Sequence, residues 1–176
     1  MSKTEPKKIR FYVAASFARR DEAIELAKAV TNLSGQNVQF ELTSRWLGGN
    51  RPNTNYGDSP QWGIEDLEDV VSADVQIQIV NDTPPFAVNR GTDDLPRWEV
   101  DPGNGTRGGR HTELGVALIS QIPVILYTFS GTREQVFHHH PLVMVVRELG
   151  ELRAALEALA RYGTLRVMFR EPRDQK

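Results

Sequence analysis

Short runs rich in β-branched and aromatic residues alternate along this chain with segments of helical apolar period. Alternation of that kind has one common solution, a parallel sheet whose crossover helices cover its faces. Ile9–Ala15 (IRFYVAA) reads as a first buried strand. Asp21–Leu33 then places Ala23, Leu26, Ala27, Val30 and Leu33 on one helical face, with Gly35 suited to the C′ position just beyond. Val38–Leu42 (VQFEL), Val75–Val80, Pro123–Phe129 (PVILYTF) and Leu142–Val146 read as further strands. Ile64–Val71, His111–Ser120 and Leu149–Ala160 read as helices, the last with apolar residues at 149, 152, 156 and 159. Thr164–Phe169 fits an edge strand or an ordered tail. The expected fold class is α/β, a three-layer sandwich of flavodoxin or Rossmann type with a parallel sheet of about five strands. It should occupy residues 9–170 as a single domain behind a polar, disordered tail at residues 1–8. One strand breaks the pattern. Gln76 and Gln78 alternate with apolar residues where burial on both faces calls for apolar residues throughout, which predicts a wetter face or a partner subunit against it.

In such sheets ligands bind outside the carboxyl ends of the strands, where the strand order reverses. Two polar stretches fall on that side. Gly48–Pro60 is too broken for regular structure and reads as a loop beside the site. Asn81–Arg110 is rich in Pro, Gly, Asp and Arg and far exceeds the roughly 4–6 residues of an ordinary connection, which marks it as functional or disordered. Its end runs into the next helix as Gly103–Leu118 (GNGTRGGRHTELGVAL). The N–H groups and partial positive charge of a helix start can hold an anion by backbone alone. Glu113 falls where the first turn should be. On residue grounds it is either an acid complementing the helix dipole or a working carboxylate beside an anion site.

Composition removes several function classes. A formal net charge of -2 supplies no global field to steer the chain to polymeric nucleic acid or to an anionic membrane. With no cysteine there are no disulfides, thiolate zinc sites or cysteine nucleophiles. No apolar run approaches the roughly 20 residues of a membrane span, and Met1–Arg10 has no apolar segment of the signal-peptide kind. The expectation is a cytoplasmic protein that binds no membrane, no metal and no cofactor.

Three segments, FYVAASF at the first strand, EDLEDVVSAD before the third, and GGRHTELGVALISQIPVIL from the glycine loop to the fourth, together resemble the nucleoside 2-deoxyribosyltransferase family and its relatives, the 2′-deoxynucleoside 5′-phosphate N-hydrolases. The resemblance spans residues 9 to 147. It implies that the glutamate of the E-x-G element, Glu113 followed by Gly115, is the nucleophile. It implies that the aspartate eight residues before the Ala-Asp opening strand three, Asp66, serves the base, and that Tyr12 on the first strand orients the nucleophile. Such chemistry suits these residue types. An oxocarbenium-like sugar can be trapped by one carboxylate, and a second carboxyl can protonate or hydrogen-bond the departing base. Six residues before the glutamate, nucleoside-handling members carry an acid and nucleotide-handling relatives a small phosphate-binding residue; here it is Arg107, whose guanidinium suits a phosphate. Arg110, His111, the N–H groups of Gly108 and Gly109, and Ser16 and Arg19 after strand one would complete a substrate cradle. The resemblance also implies a small nucleoside or nucleotide substrate and a homodimer or higher homo-oligomer.

Plainer readings stand beside each of these. Asp66 lies among Glu65, Glu68 and Asp69, all suited to a solvated helix face, and Tyr12 suits a core aromatic. Gly103–Gly108 formally fits GxGxxG, yet it does not follow the first strand, so it reads as a lid or phosphate loop. His111-Thr112-Glu113 matches the H-x-E of zinc deaminases, whose cysteines are missing here. His138, His139 and His140 point apart and read as a surface or subunit-contact loop. Trp46, Trp62 and Trp98 fall in loops near the expected pocket, where a ring stacks on a base or packs a loop. The alternative of another class is a non-catalytic nucleotide sensor on the same fold.

Overall fold

The computed structural model describes residues 5–16, 19–35, 37–48, 60–80, 87–89, 98–100, 109–128, 136–163 and 165. In chain order these form β1 (Lys7–Ala14), α1 (Arg20–Thr31), β2 (Val38–Leu42), α2 (Arg45–Gly48), α3 (Pro60–Ser72), β3 (Val75–Ile79), β4 (Ala87–Asn89), β5 (Trp98–Val100), α4 (Gly109–Ile119), β6 (Val124–Tyr127), a 3-10 turn (Val136–His139), β7 (Val143–Val146) and α5 (Leu149–Tyr162). Five strands make an all-parallel sheet in the order β2-β1-β3-β6-β7. Right-handed crossovers from β1 back to β2 and from β3 on to β6 lie on opposite faces, which puts α1 on one side and α3 and α4 on the other. There α3 packs against α4, and α4 against β3 and β6. The architecture is the expected three-layer α/β sandwich. The strand order reverses between β1 and β3, and this pair therefore frames the cleft.

Local sequence explains the layers. β1 starts polar at the rim and turns apolar inward, so Phe11, Tyr12, Val13 and Ala14 are fully buried beside Val75 and Ile77 of β3. α5 buries Leu152, Leu156 and Leu159, each side chain contributing roughly 1.5–3 kcal/mol of apolar burial. Its far end is tied to the start of β1 by Lys7 Nζ, which donates to the Ala160 carbonyl at 2.8 Å.

Several boundaries differ from the sequence expectation, each for a local reason. α1 stops at Thr31 with Asn32 as its C-cap, and Gly35 N–H turns instead to the Val38 carbonyl at the start of β2. α4 begins at Gly109, so Glu113 sits in its second turn and not its first. Within Asn81–Arg110 the short strands β4 and β5 pair antiparallel. The wetter face expected on β3 is absent. Gln76 and Gln78 are fully buried within the chain. The histidine segment is also corrected: His138 is fully buried, His139 exposed and His140 half-buried. Of Thr164–Phe169 only Leu165 is described, and residues 49–59 of the expected Gly48–Pro60 loop lie outside the described residues.

Gly163 caps α5 with φ +70°, its N–H donating to the Leu159 carbonyl at 2.8 Å. A side chain resists this left-handed conformation, so Gly163→Ala should cost about 1 kcal/mol in urea denaturation. Unchanged stability would contradict that cap.

Candidate active site

Tyr12 is the last large side chain of β1 and faces α4. Its Oη donates to Glu113 Oε1 at 2.7 Å, linking the first strand to the helix that follows β3. Burial, and then the nearby carboxylates of Glu113 and Asp66, push the Tyr12 phenol far up, so it stays a hydrogen-bond donor at any working pH. Glu113 is raised to about 7: burial disfavours its charge and Asp66 adds repulsion, while the Tyr12 bond and Arg110 oppose both. Its second oxygen, Oε2, is buried without a hydrogen-bond partner among the described residues. The pair is thus a carboxylate held by one oxygen, with the other unpaired among the described residues.

Helical phase and Arg45 together sort the acids of α3. Asp66 continues the stripe of buried Val70 and Ala73 at i+4 and i+7 and acts electrostatically on both Tyr12 and Glu113. Asp69 shares that stripe at i+3, but it is drawn with Glu65 and Glu68 to Arg45 at the start of α2. Asp69, 6 % exposed, accepts from Arg45 N and Nε at 2.7 Å each, Glu68 pairs with Arg45 NH2, and the Glu65 carbonyl accepts from the same nitrogen. Asp66 is therefore the α3 carboxylate that acts on both Tyr12 and Glu113, whereas Asp69, held by Arg45, acts on Tyr12.

The remaining candidates are distributed unevenly. Arg110, in the first turn of α4, is buried and near enough to draw Glu113 down. His111 is half-buried, and burial, then Arg110, lowers its pKa. Gly109 opens α4 at the surface, and Ser16 is half-buried beyond β1, its carbonyl accepting from Arg19 N–H. Arg19 is committed elsewhere. Its Nε and NH2 grip Glu22 at 2.7 and 2.6 Å and its NH1 donates to the Val80 carbonyl at 2.6 Å, bracing the start of α1 against the end of β3. Arg107 and Gly108 lie outside the described residues.

Sequence reading missed the wall behind this site. Ser44 Oγ accepts from Val13 N–H at 2.7 Å and Trp46 Nε1 donates to the Val13 carbonyl at 2.9 Å, so the turn after β2 folds over the end of β1. Trp46 is a buried brace, and Trp62 is half-buried on α3. No sequence period marks a helix as short as α2, although Ser44 and Trp46 together hint at a turn that must satisfy polar atoms. Among the described residues no group of three or more His, Asp or Glu could share a metal ion, and no helix is long and apolar enough to cross a membrane.

By sequence the chain matches no protein-family model and no curated protein. Three solved structures resemble it. A conserved protein from Enterococcus faecalis V583 is 15% identical over 85% of this chain and 98% of its own, with a TM-score of 0.52. The likeness is one of fold. A 2-deoxyribosyltransferase from Bacillus psychrosaccharolyticus is 18% identical over 82% of this chain and 90% of its own, with a TM-score of 0.49. A CMP N-glycosidase from Clostridium botulinum is 13% identical over 84% and 98%, with a TM-score of 0.46.

Because Glu113 ionises less readily folded than unfolded, it is fully tolerated below its ordinary value of 4.5, and the cost of its charge is complete only above about 7. Glu113→Gln should therefore stabilise the protein at pH 8 more than at pH 5 in paired thermal melts. An equal effect at both would contradict the buried carboxylate.

Proposed function

We propose that this protein cleaves the N-glycosidic bond of 2′-deoxynucleosides or their 5′-monophosphates, with the monophosphates preferred. The observation that carries the reading is the convergence of Glu113, Tyr12 and Asp66 at the β1/β3 switch point, on the residues the sequence resemblance assigns to that chemistry. In this reading Glu113 Oε2 attacks C1′ of the sugar while the bond to the base breaks, its electron pair leaving with the base nitrogen. Asp66, as a protonated carboxyl or a hydrogen-bond partner, meets that nitrogen. The product is a deoxyribosyl ester on Glu113. Water then attacks C1′ and passes its proton to Asp66, releasing the sugar, or a second base nitrogen does the same to give a new nucleoside; either route returns Glu113 as carboxylate. Tyr12 keeps its proton throughout and holds Oε1 so that Oε2 faces the anomeric carbon.

The 5′ phosphate would be gripped by Arg107 and by the N–H groups of Gly108 and Gly109, with Arg110, His111 and Ser16 beside them. Arg19 serves as a brace in this scheme, because releasing it would strip Glu22 and the Val80 carbonyl of their partner.

The direct test is chromatography of free base after incubation with a panel of deoxynucleosides and deoxynucleotides. Wild type should release base, at a rate that rises with pH through about 7 as Glu113 ionises. Glu113→Gln should bind nucleotide and lose roughly a thousandfold or more in turnover. Nucleotide affinity with no base release from wild type at any pH would instead identify a sensor.

A further inference from the structure

β3 carries two glutamines in a sheet that is otherwise apolar, and both are fully buried. Two residues apart, they face the same side, and the register sets Gln76 beside Tyr12 and Val124, and Gln78 beside Ala14 and Leu126. This is the side from which Tyr12 reaches Glu113, so the two amides lie in the layer under α4, beneath the site. Gln76 Nε2 donates to Gln78 Oε1 at 3.4 Å, and Gln78 Nε2 lies 3.4 Å from His138 Nε2. His138 comes from the turn before β7, where its neighbours Val136, Phe137 and His139 are exposed while it is fully buried. Buried amides and imidazoles cost stability unless bonded, and an apolar trio would pack this layer without that cost. The chain of polar groups therefore calls for a reason beyond stability.

We propose that Gln76, Gln78 and His138 are positioning residues for the Glu113–Tyr12 pair, acting through the strand that flanks Tyr12. The inference rests on the glycosidase reading. None of the three is exposed, so none touches substrate. Gln76, held at one end by Gln78, gives the Tyr12 ring a fixed neighbour on the adjoining strand. Gln78, held by His138, ties the end of the β6–β7 connection to the same floor. A ring so confined keeps Oη on Oε1 of Glu113 and leaves Oε2 for the sugar. The direction of donation also fixes a proton: with Gln78 Nε2 as donor, His138 Nε2 accepts and its hydrogen sits on Nδ1.

The test compares Gln78→Leu, His138→Leu and the double variant. Each single change strands a buried partner and should lower the melting temperature, whereas the double removes the Gln78–His138 pair together, leaves Gln76 Nε2 without Gln78, and should recover part of that loss. A positioning role predicts that kcat of the double variant stays down roughly tenfold or more with KM little changed. The pH midpoint of its kcat/KM should also move above about 7, because Glu113 loses part of the Tyr12 bond that opposes its rise. Recovery of kcat together with the melting temperature would overturn the inference. So would a 15N spectrum of wild type placing the His138 proton on Nε2, a reading that needs neither variant to fold. A wild type that releases no base overturns the glycosidase reading itself, a result distinct from an active double variant.

Discussion

One hydrogen bond, from Tyr12 Oη to Glu113 Oε1, ties β1 to α4 at the place where the strand order reverses. Away from bulk water such a bond is stronger, and the group left unbonded is correspondingly costly. The phenol fixes one oxygen of Glu113 and lowers the cost of its charge; burial and Asp66 work the other way. The result is a carboxylate poised near neutrality. A nucleophile must ionise at the working pH, yet should not be so well solvated that it prefers water to carbon. A surface glutamate in the same helix would meet the first condition and fail the second.

The surroundings keep that balance from collapsing. Arg45 pairs with Asp69 and Glu68, which leaves Asp66 as the α3 carboxylate that acts on Glu113. Arg19 braces α1 to β3, while Ser44 and Trp46 fasten the turn after β2 to Val13, the residue next to Tyr12. These contacts lie at the carboxyl edge of the sheet, where backbone groups would otherwise end unsatisfied. Each serves two purposes: it satisfies those groups, and it fixes the side chains that stand between them.

Most of the layer order was legible because strands buried on both faces are written as continuous apolar runs and α1 and α5 as amphipathic stripes. What escaped the sequence had specific causes. α2 is shorter than any period, and β4 and β5 are diluted by Pro, Gly and Asp. Gly109 reads as loop although it opens α4, which moved Glu113 one turn into the helix. The choice of Asp66 over Asp69 turns on Arg45, which engages Asp69 from the turn after β2 and which no spacing along α3 reveals. Gln76 and Gln78 looked like a wet face because their partner, His138, lies sixty residues beyond Gln78 in a segment that itself looked exposed. Arg19 had the position of a phosphate ligand, and its i+3 partner Glu22 was visible in the chain. Its bond to the Val80 carbonyl was not, since no local pattern connects them.

The central claim is that Glu113 bonds covalently to the sugar. Peptide mapping by mass spectrometry, after mixing the protein with a 2′-fluorinated deoxynucleoside 5′-monophosphate whose ester turns over slowly, tests it most directly. The account predicts the mass of a fluorodeoxyribose phosphate on the peptide holding Glu113 and none in Glu113→Gln. Release of base with that peptide unmodified would contradict it, because the sugar would then pass to water without ever bonding to the protein.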